Sequence, residues 1–237
     1  MRKCFLIWSV VTAGLSTFSF TSDVITDTYI GYAYQEGTEN LLYTEHFTDT
    51  FIKGIHVTTQ TTYYTPDNKL IVSRTLNFNC SLTAPDFETK DLRTGYIEGA
   101  TVVGKTVKLF VRKNKNSVTT EKLIYVPEPI VIDGGFNQYI KSQWNALQRG
   151  KAVIFNFVVP CRLDYFALRA RKISSDLTTT TIRVEPENIM VRWLVIPITI
   201  QYDLSTKRIL SYEGKSNISD EKGVNFMARL VYPEKGP

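Results

Sequence analysis

Apolar and polar residues alternate with a period of two over most of the chain. Segments such as "TYIGYAYQ", "IHVTTQTTYYT", "TVKLFVRK", "AVIFNFVV" and "NFMARLVY" are rich in β-branched and aromatic residues. A period of two sends each parity of residues to one face of a strand. Turn-forming clusters separate these segments, among them "QEGTE", "TPDNK", "RKNKN", "DLSTK" and "DEKG". In "TPDNK", Pro66 supplies the φ near −65° that suits a turn, and Asp67 and Asn68 follow it. Short strands at regular spacing predict an antiparallel meander, not parallel βαβ units.

One stretch departs from that period. Phe136, Tyr139, Ile140, Trp144 and Leu147 fall at i, i+3, i+4, i+8 and i+11, a single helical face. Asn137, Gln138, Lys141, Ser142, Asn145 and Gln148 make the other face. Asp133 is placed to cap the start, and Gly150 to stop the helix. The Gly134-Gly135 pair reads as a tight turn into it. A second, shorter helical turn is expected at 84–90. The fold class predicted is mainly β (α+β): a curved antiparallel sheet or half-barrel with one main helix at about 135–149.

The stretch "LIYVPEPIVIDGG", with Pro127 and Pro129 and no polar alternation, reads as an extended connector. It divides the chain into an N-terminal antiparallel sheet unit, 23–126, and a helix plus C-terminal sheet unit, 127–237. The two are expected to form one continuous domain. Residues 1–22 read as a signal peptide: "MRK" is a basic start and "CFLIWSVVTAGLSTFSF" an apolar core that turns small and polar. Cys4 lies at the start of that core, so no lipid-attachment cysteine sits at the cut. The mature chain is expected to be soluble, not membrane-spanning, and periplasmic or secreted.

Charge adds little. The formal net charge is +5, of which Arg2 and Lys3 supply two, so a chain starting near Asp23 carries +3. The runs "VRKNKN" and "LRARK" interleave with apolar residues and read as solvated strand faces and loops. No nucleic-acid partner is expected. Export leaves Cys80 and Cys161 as a candidate disulfide, which would close a loop of about 80 residues and contribute roughly 4 kcal/mol. Two buried thiols are the other reading.

Catalytic patterns are scarce. His46 and His56 are the two histidines, with no CxxC or HExxH pair, so no metal is expected. There is no GxSxG, and "VIDGGF" lacks the further glycines or the Gly-Lys-Ser/Thr of a phosphate cradle. Asp86, Glu88, Asp91 and Glu98, clustered in "APDFETKDLRTGYIEG", and Asp164 are the candidates for paired-carboxylate hydrolysis. No catalytic residue and no cofactor is expected.

Several stretches carry a resemblance: "GYAYQEGTENLLYTEHFT", "TYYTPDNKLIVSRTLNF", "DFETKDLRTGYIEGA", "FNQYIKSQWNALQRGKAVIFNFVVPCRLDYFALRARK" and "YDLSTKRILSYEGKSNISDEKGVNFMARLVYP". Together they cover most of the mature chain and resemble a family of exported Gram-negative bacterial proteins of unknown function. Their opening and late hairpins are also similar to sheet proteins distantly related to LolA-type lipoprotein carriers. That likeness implies a half-barrel by analogy and carries no site residues.

The leading expectation is an exported, non-catalytic binding protein for an apolar or amphipathic envelope ligand, such as a lipid. Phe136, Tyr139, Ile140, Trp144 and Leu147 are its candidate ligand-binding residues. The alternatives are a secreted interaction or effector protein with a filled core and a protein partner, and an envelope hydrolase with paired carboxylates. The helix's apolar face is either a plug for the sheet or one wall of a groove.

Overall fold

The computed structural model describes residues 23–192 and 195–233. The expected signal peptide lies outside the described residues. Eight strands come first: β1 (Val24–Gln35), β2 (Leu41–Ile52), β3 (Ile55–Tyr64), β4 (Leu70–Asn77), β5 (Asp86–Asp91), β6 (Tyr96–Val103), β7 (Thr106–Arg112) and β8 (Thr120–Tyr125). Next come β9 (Ile130–Ile132), the helices α1 (Gly135–Ser142) and α2 (Trp144–Gln148), and β10 (Val153–Val159). The chain ends with β11 (Asp164–Ser175), β12 (Thr179–Pro186), β13 (Ile198–Asp203), β14 (Ile209–Ser219) and β15 (Asn225–Val231).

Among the described residues, fifteen strands form one sheet, ordered β8-β7-β6-β5-β4-β3-β2-β1-β15-β14-β13-β12-β11-β10-β9. Every pairing is antiparallel except β9 with β10. The expectation of a mainly β, mostly antiparallel protein with one main helical segment therefore holds. The turn expected at 84–90 does not form. Asp86–Asp91 is strand β5, paired on both sides by β4 and β6. Phe87, Thr89 and Asp91 are buried there at alternate positions, so the pairing decides the local structure.

Strands β8 and β9 are the two ends of the sheet, yet only residues 126–129 lie between them. Such a link spans about 18 Å at most, whereas fifteen strands laid flat would extend about 65 Å. The two ends therefore approach each other. Ile130, Ile132 and Val158 from one end pack in the same cluster as Leu76, Phe87, Val107 and Leu109 from the other. The Ile132 N–H donates to the Thr83 carbonyl at 3.0 Å.

The helical segment matches the predicted span but breaks at Gln143 (φ −94°, ψ 7°). Gly150, at φ +80°, ends it in the left-handed region that favours glycine. Its apolar face packs on the inward rows of β10–β13, against Phe155, Ala170, Ile182, Ile200 and Tyr202. The Trp144 ring meets Tyr202 edge-on at 5.7 Å, and the Tyr139 hydroxyl donates to the Ile154 carbonyl at 2.9 Å. This face is core.

Two details at the start of α1 correct the sequence reading. The N-cap residue is Gly134, with no side-chain cap. The Asp133 carboxylate instead accepts from the Gly134 N–H at 2.8 Å and from Arg74. Gly135 is required by proximity: a Cβ there would collide with the Thr83 carbonyl and with Pro85. At Gly134 a Cβ would meet only the flexible end of Leu76 at 3.0 Å. Gly135→Ala should therefore cost about 1–3 kcal/mol by overpacking, and Gly134→Ala clearly less. Trp144→Ala should cost about 3–5 kcal/mol. Urea unfolding measures all three, and equal effects at 134 and 135 would contradict the packing account.

Candidate functional site

The inward face of β1–β4 is not apolar in the manner of β10–β13. Cross-strand register builds three rows on it. Tyr29, Phe47, Thr61 and Arg74 stand directly opposite one another on successive strands. On one side runs the row Asp27, Asp49, Thr59 and Leu76, and on the other Gly31, Glu45, Tyr63 and Val72. Facing these rows is the polar side of α1, through Asn137, Gln138 and Lys141. Between sheet and helix lies a cavity of about 1040 Å³, to which β14 and β15 add Tyr212, Ser216 and Leu230.

Arg74 is the charged centre. Its side chain is only 11% exposed, and Nη1 lies 3.4 Å from Asp133 Oδ1. Nε donates to Thr89 Oγ1 at 3.3 Å, and the guanidinium sits 5.1 Å from the Tyr63 ring centroid, in cation–π range. Burial alone would lower its pKa, but Asp133, the Tyr63 phenol, Glu45 and Glu98 raise it above the ordinary arginine value.

Glu45 is 7% exposed and accepts from the Tyr232 hydroxyl at 2.9 Å. Gly31, its cross-strand neighbour, leaves the space that the Tyr232 ring occupies. Burial pushes the Glu45 carboxyl up to about 7, against the opposing pull of Arg74 and the Tyr232 hydrogen bond. Glu98 is raised by the same cause, burial, and accepts from the Tyr96 hydroxyl at 2.9 Å. Lys141 is lowered by burial. The Tyr43 and Ser216 hydroxyls share a hydrogen bond of 2.8 Å.

Toward one end of β2 and β3, His56 Nε2 lies 2.9 Å from Thr59 Oγ1 and 3.5 Å from Asp49. The Thr59 hydroxyl donates to Asp49, and the Gln138 amide approaches His56 Nδ1 at 3.4 Å. This is not a triad. In a triad the acid holds one ring nitrogen while the other faces the nucleophile. Here acid and hydroxyl converge on the same nitrogen. The other histidine, His46, is paired with Thr62 in the β2–β3 register and bonds Thr44, so the two histidines do not face each other.

The five helix residues expected to bind ligand are brought together, but in the core. Tyr139, Ile140, Trp144 and Leu147 are buried there and Phe136 packs against them, and none of the five lines the cavity. The opposite face of the same helix lines it. The clustered acids also lie elsewhere. Asp91 is held by Arg93 at 2.6 Å, Glu88 pairs with Lys90, and neither they nor Asp86, Glu98 or Asp164 line the cavity. Cys80 and Cys161 are free and exposed, so neither the bridge nor the buried-thiol reading applies.

The lining acids were visible only as a parity signal. In "YTEHFTDTF", every second residue is Tyr43, Glu45, Phe47, Asp49 or Phe51, so aromatic rings and carboxylates share one face. Among the described residues, no three or more of His, Cys, Asp and Glu are arranged to hold a metal ion. No described helix is long and apolar enough to cross a membrane. Comparison with protein-family models, curated proteins and solved structures yields no match.

The Glu45 shift has a definite sign. A carboxyl whose pKa is raised on folding binds its proton more tightly in the folded state. That stabilisation is present below about pH 4.5 and is lost as pH rises through about 7. Glu45→Gln has no such loss. Between pH 5 and pH 8 the variant should gain stability relative to the wild type, by at most about 3 kcal/mol. Urea unfolding at the two pH values measures it, and parallel profiles would show that Glu45 does not titrate in this range.

Proposed function

We propose that the chain is an exported binding protein that holds an amphipathic envelope ligand between the β1–β4 face and the polar side of α1, without transforming it. The observation that carries this reading is the cavity of about 1040 Å³ with aromatic walls and a charged, hydrogen-bonding floor. Ligand sites commonly reach about 300–1,000 Å³ and combine apolar walls with a few placed polar groups. The helix supports the reading because its apolar face is already spent on the β10–β13 core. Its remaining face has the ligand as a natural partner.

A sheet curved as a half-barrel around α1 accounts for the packing of β4–β7 against β9 and β10. Export to the periplasm or beyond is supported by the basic-then-apolar N-terminus. The engagement of His56 by both Thr59 and Asp49 at one nitrogen favours binding over nucleophilic catalysis.

A second reading has one observation of its own. β8 is an edge strand, and Leu123 and Tyr125 on it are 61% and 67% exposed. A protein partner could add a strand there.

The test is extraction and mass spectrometry of protein purified without detergent. The wild type should release an amphiphile in near-stoichiometric amount. Gln138→Trp, which fills the cavity from the helix side, should lose it while keeping a wild-type unfolding midpoint. A wild type that releases nothing would overturn the binding reading.

A further inference from the structure

Two neutral polar atoms on the walls of the cavity lack a partner. Thr61 lines it, is 1% exposed, and its Oγ1 has no hydrogen-bond partner. On the helix side, Asn137 Oδ1 is likewise buried and unpartnered. A buried polar group without a partner destabilises the fold until something supplies the bond. Two such groups from opposite walls of one cavity point to a molecule between them.

The charged groups are already balanced. Arg74 is held by Asp133 and lies in the field of Glu45 and Glu98. Lys141 lies in the field of Asp49. Arg208 donates to the carbonyls of Tyr232 and Pro233. Across the lining, Asp27, Glu45, Asp49 and Asp133 face Arg74, Lys141 and Arg208, and Glu45 is largely uncharged below about pH 7. An anionic head group reaching Arg74 would meet the Asp133 carboxylate. An ammonium would meet Arg74 and Lys141. Either would gain little for its desolvation.

A hydroxyl both donates and accepts, so it suits a threonine hydroxyl and an amide oxygen together. Beside Thr61 in the same cross-strand row is Phe47, stacked on Tyr29 at 4.5 Å. These rings offer an apolar surface next to the unmatched polar atoms. We infer that the cavity recognises a neutral, hydroxyl-bearing group, which bonds Thr61 and Asn137 and lays its apolar part on Phe47 and Tyr29. The inference rests on the binding reading above and narrows its ligand class. A glycosylated lipid and a free saccharide share this chemistry.

Isothermal titration of the purified, delipidated protein separates the cases. The probes are octyl glucoside below its micelle concentration, glucose, octanoate and octylammonium. Octyl glucoside should bind, and the two charged amphiphiles should bind about tenfold more weakly or worse. Thr61→Val should weaken octyl glucoside about fivefold to tenfold. Its unfolding midpoint should be unchanged or raised, because it deletes a hydroxyl that has no partner. Glucose binding as tightly as octyl glucoside supports the inference and assigns the group to a free saccharide. Weaker glucose binding supports it and assigns the group to a lipid head. Octanoate or octylammonium binding as tightly as octyl glucoside overturns the neutral-group inference and leaves the binding reading standing. Octyl glucoside affinity unaffected by Thr61→Val also overturns it, with water satisfying Thr61. Failure of all four probes to bind overturns both.

Discussion

A link of four residues joins the two ends of a fifteen-stranded sheet, and the rest of the molecule follows from that limit on reach. Because β9 must return to the neighbourhood of β4–β7, the start of α1 is delivered to the inward face of the sheet's first half. There Asp133 meets Arg74 and Gly135 passes the Thr83 carbonyl. The ion pair is a consequence of this approach of the two ends more than its cause. Desolvating two charges offsets most of their attraction, so a buried pair adds little net stability. Once both are buried, however, losing one strands the other, and the pair thereby fixes how α1 sits against β4.

The same alternation produces opposite chemistry in the two halves of the sheet. Inward residues of β12 and β13 are Ile182, Val184, Ile200 and Tyr202, and they pack on the helix as a hydrophobic core. Inward residues of β2 and β3 are Glu45, Phe47, Asp49, Thr59 and Thr61, and they face the cavity. One short helical segment, α1 and α2, serves both, with its apolar face on the first set and the polar side of α1 toward the second. Stability and the candidate site are thus assigned to different faces of one element. Changes at Trp144 and at Gln138, six residues apart, should act on different properties.

Much of the fold was legible in the sequence because it is local. Period-two alternation marked the strands, turn residues separated them, and the spacing of Phe136 to Leu147 marked the helix and its buried face. Gly150 marked the stop. What was not legible depends on register and on contacts between distant segments. Most of the 84–90 stretch falls in β5, Asp86–Asp91, where β4 and β6 flank it. Asp133 reads as a helix cap until Arg74, 59 residues earlier in the chain, is placed beside it. The cavity lining was not legible for a related reason. The helix's apolar face is a sound guide to burial, but burial there is core. The better signal was the mixture of acids and rings at one parity of β2, since a charged residue at an inward position needs a partner or a solvated space. Which strand would supply Arg74 opposite Thr61 is a matter of pairing that no local pattern encodes.

The proposal turns on whether the space between β1–β4 and the polar face of α1 is occupied by a ligand when the protein is isolated from its native source. Crystallographic density for protein purified from that source without detergent or refolding tests it most directly. The account predicts continuous non-protein density lying on Phe47 and Tyr29 and within hydrogen-bonding distance of Thr61. A cavity holding only discrete water molecules, or one closed by side chains of α1 meeting the sheet, would contradict it.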